Sequence, residues 1–210
     1  ALGDIARHER MRLNMKVVAV TGSVGKSTTK EMIATVLDGT YKVAKTPVNH
    51  NNDIGMPMAI LSMELDTQVA VLEMGMNHFE EISLMSRGVK PDIGVITNVG
   101  TAHLEFLGSR EGICRAKMEI AEGMDPSSGL LILNGDEPLL KNATSAVTKE
   151  YFSLGKNGEW RSENIVENGS GMTFDAVIPG GRFEALEVPL RGLHNIGNAL
   201  VAVAVGCKLG

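Results

Sequence analysis

The chain has 210 residues, and 20 Lys plus Arg against 25 Asp plus Glu leave a formal charge of −5. A 43% hydrophobic and 21% charged composition supplies a sizeable core and argues against disorder, and the mild acidity argues against a sequence-independent grip on nucleic-acid phosphates. Two cysteines, Cys114 and Cys207, lie far apart in apolar contexts, so neither a disulfide framework nor a zinc motif is expected and a reducing compartment fits.

In chain order, residues 1–10 form a charged helical pattern that lacks the apolar core of a signal peptide. There is no initiator Met, and residues 207–210 stop inside or at the end of an apolar helix, so both ends look cut. Residues 16–20 are aliphatic nearly throughout, as a strand buried on both faces should be. Residues 26–37 then carry apolar positions three and four apart, the spacing of a helix face. Residues 42–45 make a weaker strand, followed by a strand at 69–73, a helix at 80–87, a strand at 93–97, a helix at 110–122 and a strand at 130–133. This alternation predicts βαβ units and an α/β fold with a mostly parallel sheet flanked by helices. From about Tyr151 the texture becomes Gly-rich and alternating. Residues 160–166, 172–178 and 182–188 read as antiparallel strands, a small β extension of the same domain in its C-terminal third. Residues 195–209 return to helix, and the longest apolar stretches, such as 199–205, fall well short of the roughly 18 residues that span a bilayer. No membrane helix is expected.

The strongest chemical signal is Thr21-Gly22-Ser23-Val24-Gly25-Lys26-Ser27-Thr28, in which a buried strand runs through a glycine turn into a helix. Successive backbone amides and a helix N-terminus converge there on one anion, Lys26 adds a mobile positive charge, and Ser27 offers a hydroxyl to Mg²⁺. This is a P-loop in a short variant, because Val20 stands where the longer pattern has its first Gly. An ordinary glycine turn is the competing interpretation, and the strand-then-helix context argues against it. A P-loop needs a carboxylate for its metal, commonly at the end of a neighbouring strand, and Glu73 stands at such an end. His103, in Thr97-Asn98-Val99-Gly100-Thr101-Ala102-His103, follows another buried strand and reads equally as a ligand-side histidine or as a helix cap. Residues 46–55 are rich in Asn and Asp, including Asn51 and Asn52, which turns and caps also favour. Lys117 lies on a helix where a solvated lysine is the default, and chemistry alone does not single it out.

Together these stretches resemble the Mur ligase family of ATP-dependent amide-forming ligases in bacterial cell-wall synthesis. The resemblance rests on residues 21–30, on Asn49-His50-Asn51-Asn52-Asp53-Ile54-Gly55-Met56-Pro57, and on Glu73-Met74-Gly75-Met76-Asn77-His78. It continues through residues 96–105, Ala116-Lys117-Met118-Glu119-Ile120 and His194-Asn195-Ile196-Gly197-Asn198. Departures are small: Phe79-Glu80-Glu81 replaces a usual Gly-Glu pair, and Leu107 precedes Gly108 where an aromatic is common.

The resemblance implies a three-domain enzyme of which this chain is the central ATPase, residues 13–210, with 1–12 as the tail of a preceding domain. Its substrates would be UDP-MurNAc-tripeptide and D-Ala-D-Ala, joined through an acyl phosphate, with the third peptide residue left open. By the same resemblance, Gly22, Ser23, Val24, Gly25, Lys26, Ser27 and Thr28 hold the ATP phosphates, and Ser27 with Glu73 holds one Mg²⁺. His103 and a carbamylated Lys117 hold a second Mg²⁺, His194 and Asn195 serve the adenine, and Asn51, Asn52 and Asn98 line the acyl-substrate side. Lys26, His103 and Lys117 are the expected catalytic residues, in a monomer of the bacterial cytoplasm. Two alternatives stay open: a nucleotide-binding module that is inactive by itself, and a related folylpolyglutamate- or cyanophycin-type ligase. A small-molecule kinase would leave Lys117 and His194-Asn195 unexplained.

Overall fold

The computed structural model describes residues 2–210. A nine-stranded sheet carries the chain, in the order β2-β3-β1-β4-β5-β6-β7-β8-β9. Its first part comprises β1 (Lys16–Thr21), β2 (Val43–Lys45), β3 (Val69–Glu73), β4 (Ile93–Ile96), β5 (Leu130–Asn134) and β6 (Thr148–Ser153), all parallel. Then β7 (Trp160–Asn168) adds in parallel to β6 and turns the sheet antiparallel into β8 (Gly171–Ile178) and β9 (Gly181–Val188). The β extension is therefore the far end of the same sheet.

β1 sits in the middle of the parallel part, and Val17, Val18, Ala19 and Val20 are all fully buried. Alternate side chains feed two cores. On one face α1 (Leu2–Arg12), α3 (Gly55–Leu61), α4 (Glu81–Val89) and α6 (Arg110–Met118) cover a cluster that includes Val17, Ala19, Leu72, Ile96 and Ile113. On the other, α2 (Lys26–Asp38) and α8 (Leu193–Leu209) cover Val18, Val20, Val71, Val95 and Phe174. Two short helices, α5 (Leu104–Leu107) and α7 (Pro138–Asn142), complete the set. Among the described residues no helix is long and apolar enough to cross a membrane.

The helix expected over 110–122 ends early. After Met118 the chain tightens into a 3-10 turn, Glu119–Gly123. The cause lies on α4: Glu119 accepts from Glu80 N and Ser83 N at 2.9 and 3.2 Å, while Ser86 Oγ donates to Ile120 O and accepts from Gly123 N. Strand β6 is absent from the expectations because Thr148-Lys149-Glu150-Tyr151 has no apolar run; its pairing with β5 and the Trp160 Nε1 bond to Glu150 make it a strand. Helix α3 is likewise unforeseen, since the Asn-rich segment before it reads as a turn.

α8 is held by burial, with Ile196, Leu200, Val201 and Val205 fully enclosed. Replacing Leu200 by Ala leaves a cavity against α2 and the sheet, and is expected to cost about 2–5 kcal/mol. Urea unfolding should show a lower midpoint with an unchanged slope; a loss below about 1 kcal/mol would remove α8 from the core.

Candidate functional site

Parallel pairing sets Val20 beside Glu73 and Thr21 beside Ile96, so β3, β1 and β4 end together and deliver three loops to one edge. The connection from β3 to β4 passes over β1, which makes this edge the reversal point of an open α/β sheet, where ligands collect.

The loop from β1 to α2 depends on two glycines. Gly22 has φ +154°, and a Cβ there would stand 1.9 Å from Thr97 Oγ1. Gly25, at φ +84°, is the left-handed residue before α2, and its Cβ would approach Asn198 Oδ1 to 3.1 Å. Neighbouring strands clamp the loop. Asn98 Oδ1 accepts from Ser23 N and Val24 N at 3.0 Å each, and Asn98 Nδ2 donates to Val24 O at 2.8 Å. Thr97 Oγ1 also donates to Val24 O, and Gly100 N donates to Ser23 Oγ, both at 2.8 Å. From α8, Asn198 Oδ1 accepts from Thr29 Oγ1 at 3.0 Å. A loop so braced presents the first amides of α2, which have no intrahelical acceptor, and the positive end of the helix dipole. Lys26 Nζ folds over it to Gly22 O at 3.1 Å.

Beside the loop, Ser27 Oγ donates to Glu73 Oε2 at 2.8 Å, and Asn51 Nδ2 donates to Glu73 Oε1 at 2.9 Å. Glu73 is only 5% exposed, and its backbone N–H donates to Thr46 Oγ1 at 2.9 Å. A hydroxyl and a carboxylate next to an anion-binding loop are the hard oxygen donors that Mg²⁺ takes together with phosphates. That donor set fits one Mg²⁺. Among the described residues no group of three His, Cys, Asp or Glu converges as a metal site, and the carboxylates of Asp53 and Glu81 line the cavity beside this donor pair.

A cavity of about 330 Å³ opens from this edge. Gly22, Ser23 and Lys26 line one side, Asn51 and Asn52 another, and His103 and Lys117 a third. His103 is exposed and left-handed at φ 68°, where it precedes α5. Lys117 overturns the default of a solvated lysine. It is 2% exposed on α6, with no hydrogen-bond or carboxylate partner among the described residues. Burial first, and the Lys26 ammonium second, push its amine down to about 7, against a smaller opposing effect of Cys114.

On the other side of the loop a second cavity, of about 560 Å³, is lined by Val24, Gly25, Thr28, Asn98, His194 and Asn198. Asn98 thus stands on this side and is occupied with the loop backbone. Asn195 is buried one step back, with Nδ2 on Arg191 O at 2.8 Å and Oδ1 accepting from Asn198 Nδ2 at 3.3 Å. Sequence reasoning gave no role to Asn198, Thr46 or Lys30. Asn198 is legible as a second carboxamide three residues after Asn195 on an otherwise apolar helix; Thr46 carries no signal.

A parallel α/β sheet with this loop, lysine and hydroxyl at its reversal point, and a carboxylate on the adjacent strand, defines a P-loop domain. More narrowly, the chain belongs to the Mur ligase middle domain family, which matches residues 20–206. It is 44% identical over its whole length to the UDP-N-acetylmuramoyl-tripeptide--D-alanyl-D-alanine ligase of Bacillus subtilis, of which it covers 45%. The crystal structure of MurF from Acinetobacter baumannii superposes with a TM-score of 0.92 at 36% identity, covering all of this chain and 46% of that one. MurF ligase from Thermotoga maritima in complex with ADP gives 0.91 at 29% identity, covering all of this chain and 49% of that one. The chain thus spans about half the length of the relatives it matches.

Lys117 makes stability depend on pH. Its folded-state value lies below the ordinary 10.5, so the cost of burying the charge is fully present below about pH 7 and is relieved as pH rises from about 7 to 10.5. In CO₂-free buffer Lys117→Met should stabilise the protein at pH 6 by on the order of 2 kcal/mol, a gain that falls to a small fraction of that by pH 10. Equal gains at both pH values would contradict this environment for Lys117.

Proposed function

We propose that this chain is the ATP-binding central domain, residues 13–210, of a ligase that joins D-Ala-D-Ala to UDP-MurNAc-tripeptide in the bacterial cytoplasm, with 1–12 leading in from a preceding domain. The observation that carries the proposal is the single cavity in which the P-loop lysine Lys26, the Asn51 that bonds Glu73, and the buried amine of Lys117 meet. The named relatives support the choice of substrates.

In this reading residues 22–28 hold the β and γ phosphates through backbone amides, and Lys26 follows the negative charge that grows on them. Ser27 and Glu73 would hold one Mg²⁺, which would supply electrostatic screening of the phosphate charge. The tripeptide carboxylate attacks that phosphorus, ADP leaves, and an acyl phosphate forms. The amine of D-Ala-D-Ala then adds to the acyl carbon, and the tetrahedral intermediate expels phosphate. Asn51 and Asn52 face the space for the acyl substrate. The cavity beside His194 and Asn198 takes the adenosine, and Asn195 supports it from behind through its bond to Asn198.

Lys117 is suited to carbamylation because an amine lowered to about 7 has a substantial neutral fraction near neutral pH, and the neutral amine can attack CO₂, losing a proton to leave an oxygen-bearing anion. That anion and His103, which line the same cavity, would hold a second Mg²⁺ there. A ¹³C-bicarbonate NMR experiment should show a carbamate resonance that disappears in Lys117→Ala.

In the full-length ligase, Lys26→Ala should lower kcat for phosphate release dependent on both substrates by on the order of 10³-fold or more. Near-normal kcat would overturn the assignment.

A further inference from the structure

Lys30 is 1% exposed and is one of the largest fully buried side chains among the described residues. It lies one helical turn beyond Lys26 on α2, on the side facing Glu73. A buried ammonium is costly unless it is paired and hydrogen-bonded. Lys30 Nζ donates to Thr46 O at 2.8 Å, and it stands 3.7 Å from Glu73 Oε2, the oxygen that also accepts from Ser27. Thr46 ties the group together, since its carbonyl takes Lys30 and its hydroxyl takes Glu73 N.

The surrounding charges are balanced. Glu31 Oε1 lies 3.5 Å from Lys30 Nζ, and the other Glu31 oxygen pairs with Lys45. Two lysines and two glutamates thus sum to zero, and the Glu73 carboxylate is compensated before any metal arrives. At a few ångströms in a partly buried site an ammonium repels a divalent cation by an amount worth orders of magnitude in affinity. The phosphates of a nucleotide offset that repulsion.

We infer that Lys30 is a positioning residue that acts through Glu73: it fixes the carboxylate toward Ser27 and cancels its charge, so that the divalent cation is held only together with a nucleotide. The inference rests on the P-loop reading, with Ser27 and Glu73 as the metal donors. It assigns to Lys30 an order of binding, in which metal and nucleotide enter as one unit and free metal is refused.

The test is a titration of the metal-free full chain with Mn²⁺ alone, followed by electron paramagnetic resonance. Lys30→Met should lower the Mn²⁺ dissociation constant at least about fivefold relative to the unaltered protein. Lys30→Arg, which keeps the charge, should restore the weak binding, and Lys30→Met combined with Glu73→Gln should lose the gain. A residue needed only for packing would not raise metal affinity on removal. Unchanged or weaker Mn²⁺ binding by a folded Lys30→Met protein would overturn the inference. Lys30→Gln serves if the Met variant is unfolded at the assay temperature, and unfolding of both would assign Lys30 to the fold alone. Calorimetry with Mg²⁺ and ADP separates the two levels. Binding by the unaltered chain that Lys26→Ala loses upholds the P-loop reading even when the Lys30 inference fails, whereas absence of binding overturns both.

Discussion

The parallel register that places Val20 beside Glu73 and Thr21 beside Ile96 is the constraint on which the site depends. Side chains alternate along a strand, so a slip of one residue in β3 would turn Glu73 away from α2 and put Met74 in its place. The register is secured by burial of β1 and β3 on both faces, with every residue of Val69–Glu73 enclosed. From that alignment follows the clamp of Thr97 and Asn98 on the glycine loop, and the clamp fixes the path of the backbone into α2.

Charge is arranged in two layers around that loop. Lys26 is half-buried, with Nζ on Gly22 O, while Lys30, a turn later, is enclosed and committed to Thr46 and Glu73. Lys117 approaches from the opposite face of the sheet, and burial first and repulsion from the Lys26 ammonium second push its amine down. Of these three lysines, Lys117 is the one without a carboxylate or hydrogen-bond partner, and it is the one whose amine is pushed down to about 7.

Much of this was legible in the sequence, for physical reasons. Strands buried on both faces read as aliphatic runs, which located β1, β3, β4 and β5, and the loop glycines together with Lys26 and Ser27 marked the phosphate side. Strand β6 was hidden because its pairing is tertiary and its side chains are mostly polar. Lys117 was named by resemblance alone, and its burial was hidden because burial is a property of packing: helical spacing cannot tell which face of α6 meets the sheet when the face carries a lysine. Asn98 was visible as a residue at a strand end, but its bonding to the loop backbone could be read only from coordinates. Lys30 received no role from the sequence, and its enclosure and its contacts with Thr46 and Glu73 can be read only from coordinates.

The most direct measurement is a crystal structure of the protein with a non-hydrolysable ATP analogue and Mg²⁺. The γ-phosphate should lie on the amides of residues 22–28 with Lys26 Nζ against it, the metal on Ser27 and Glu73, and the adenine in the cavity beside His194. An analogue bound away from the glycine loop, or a metal that leaves Ser27 and Glu73 hydrogen-bonded to each other, would contradict the site described for this domain.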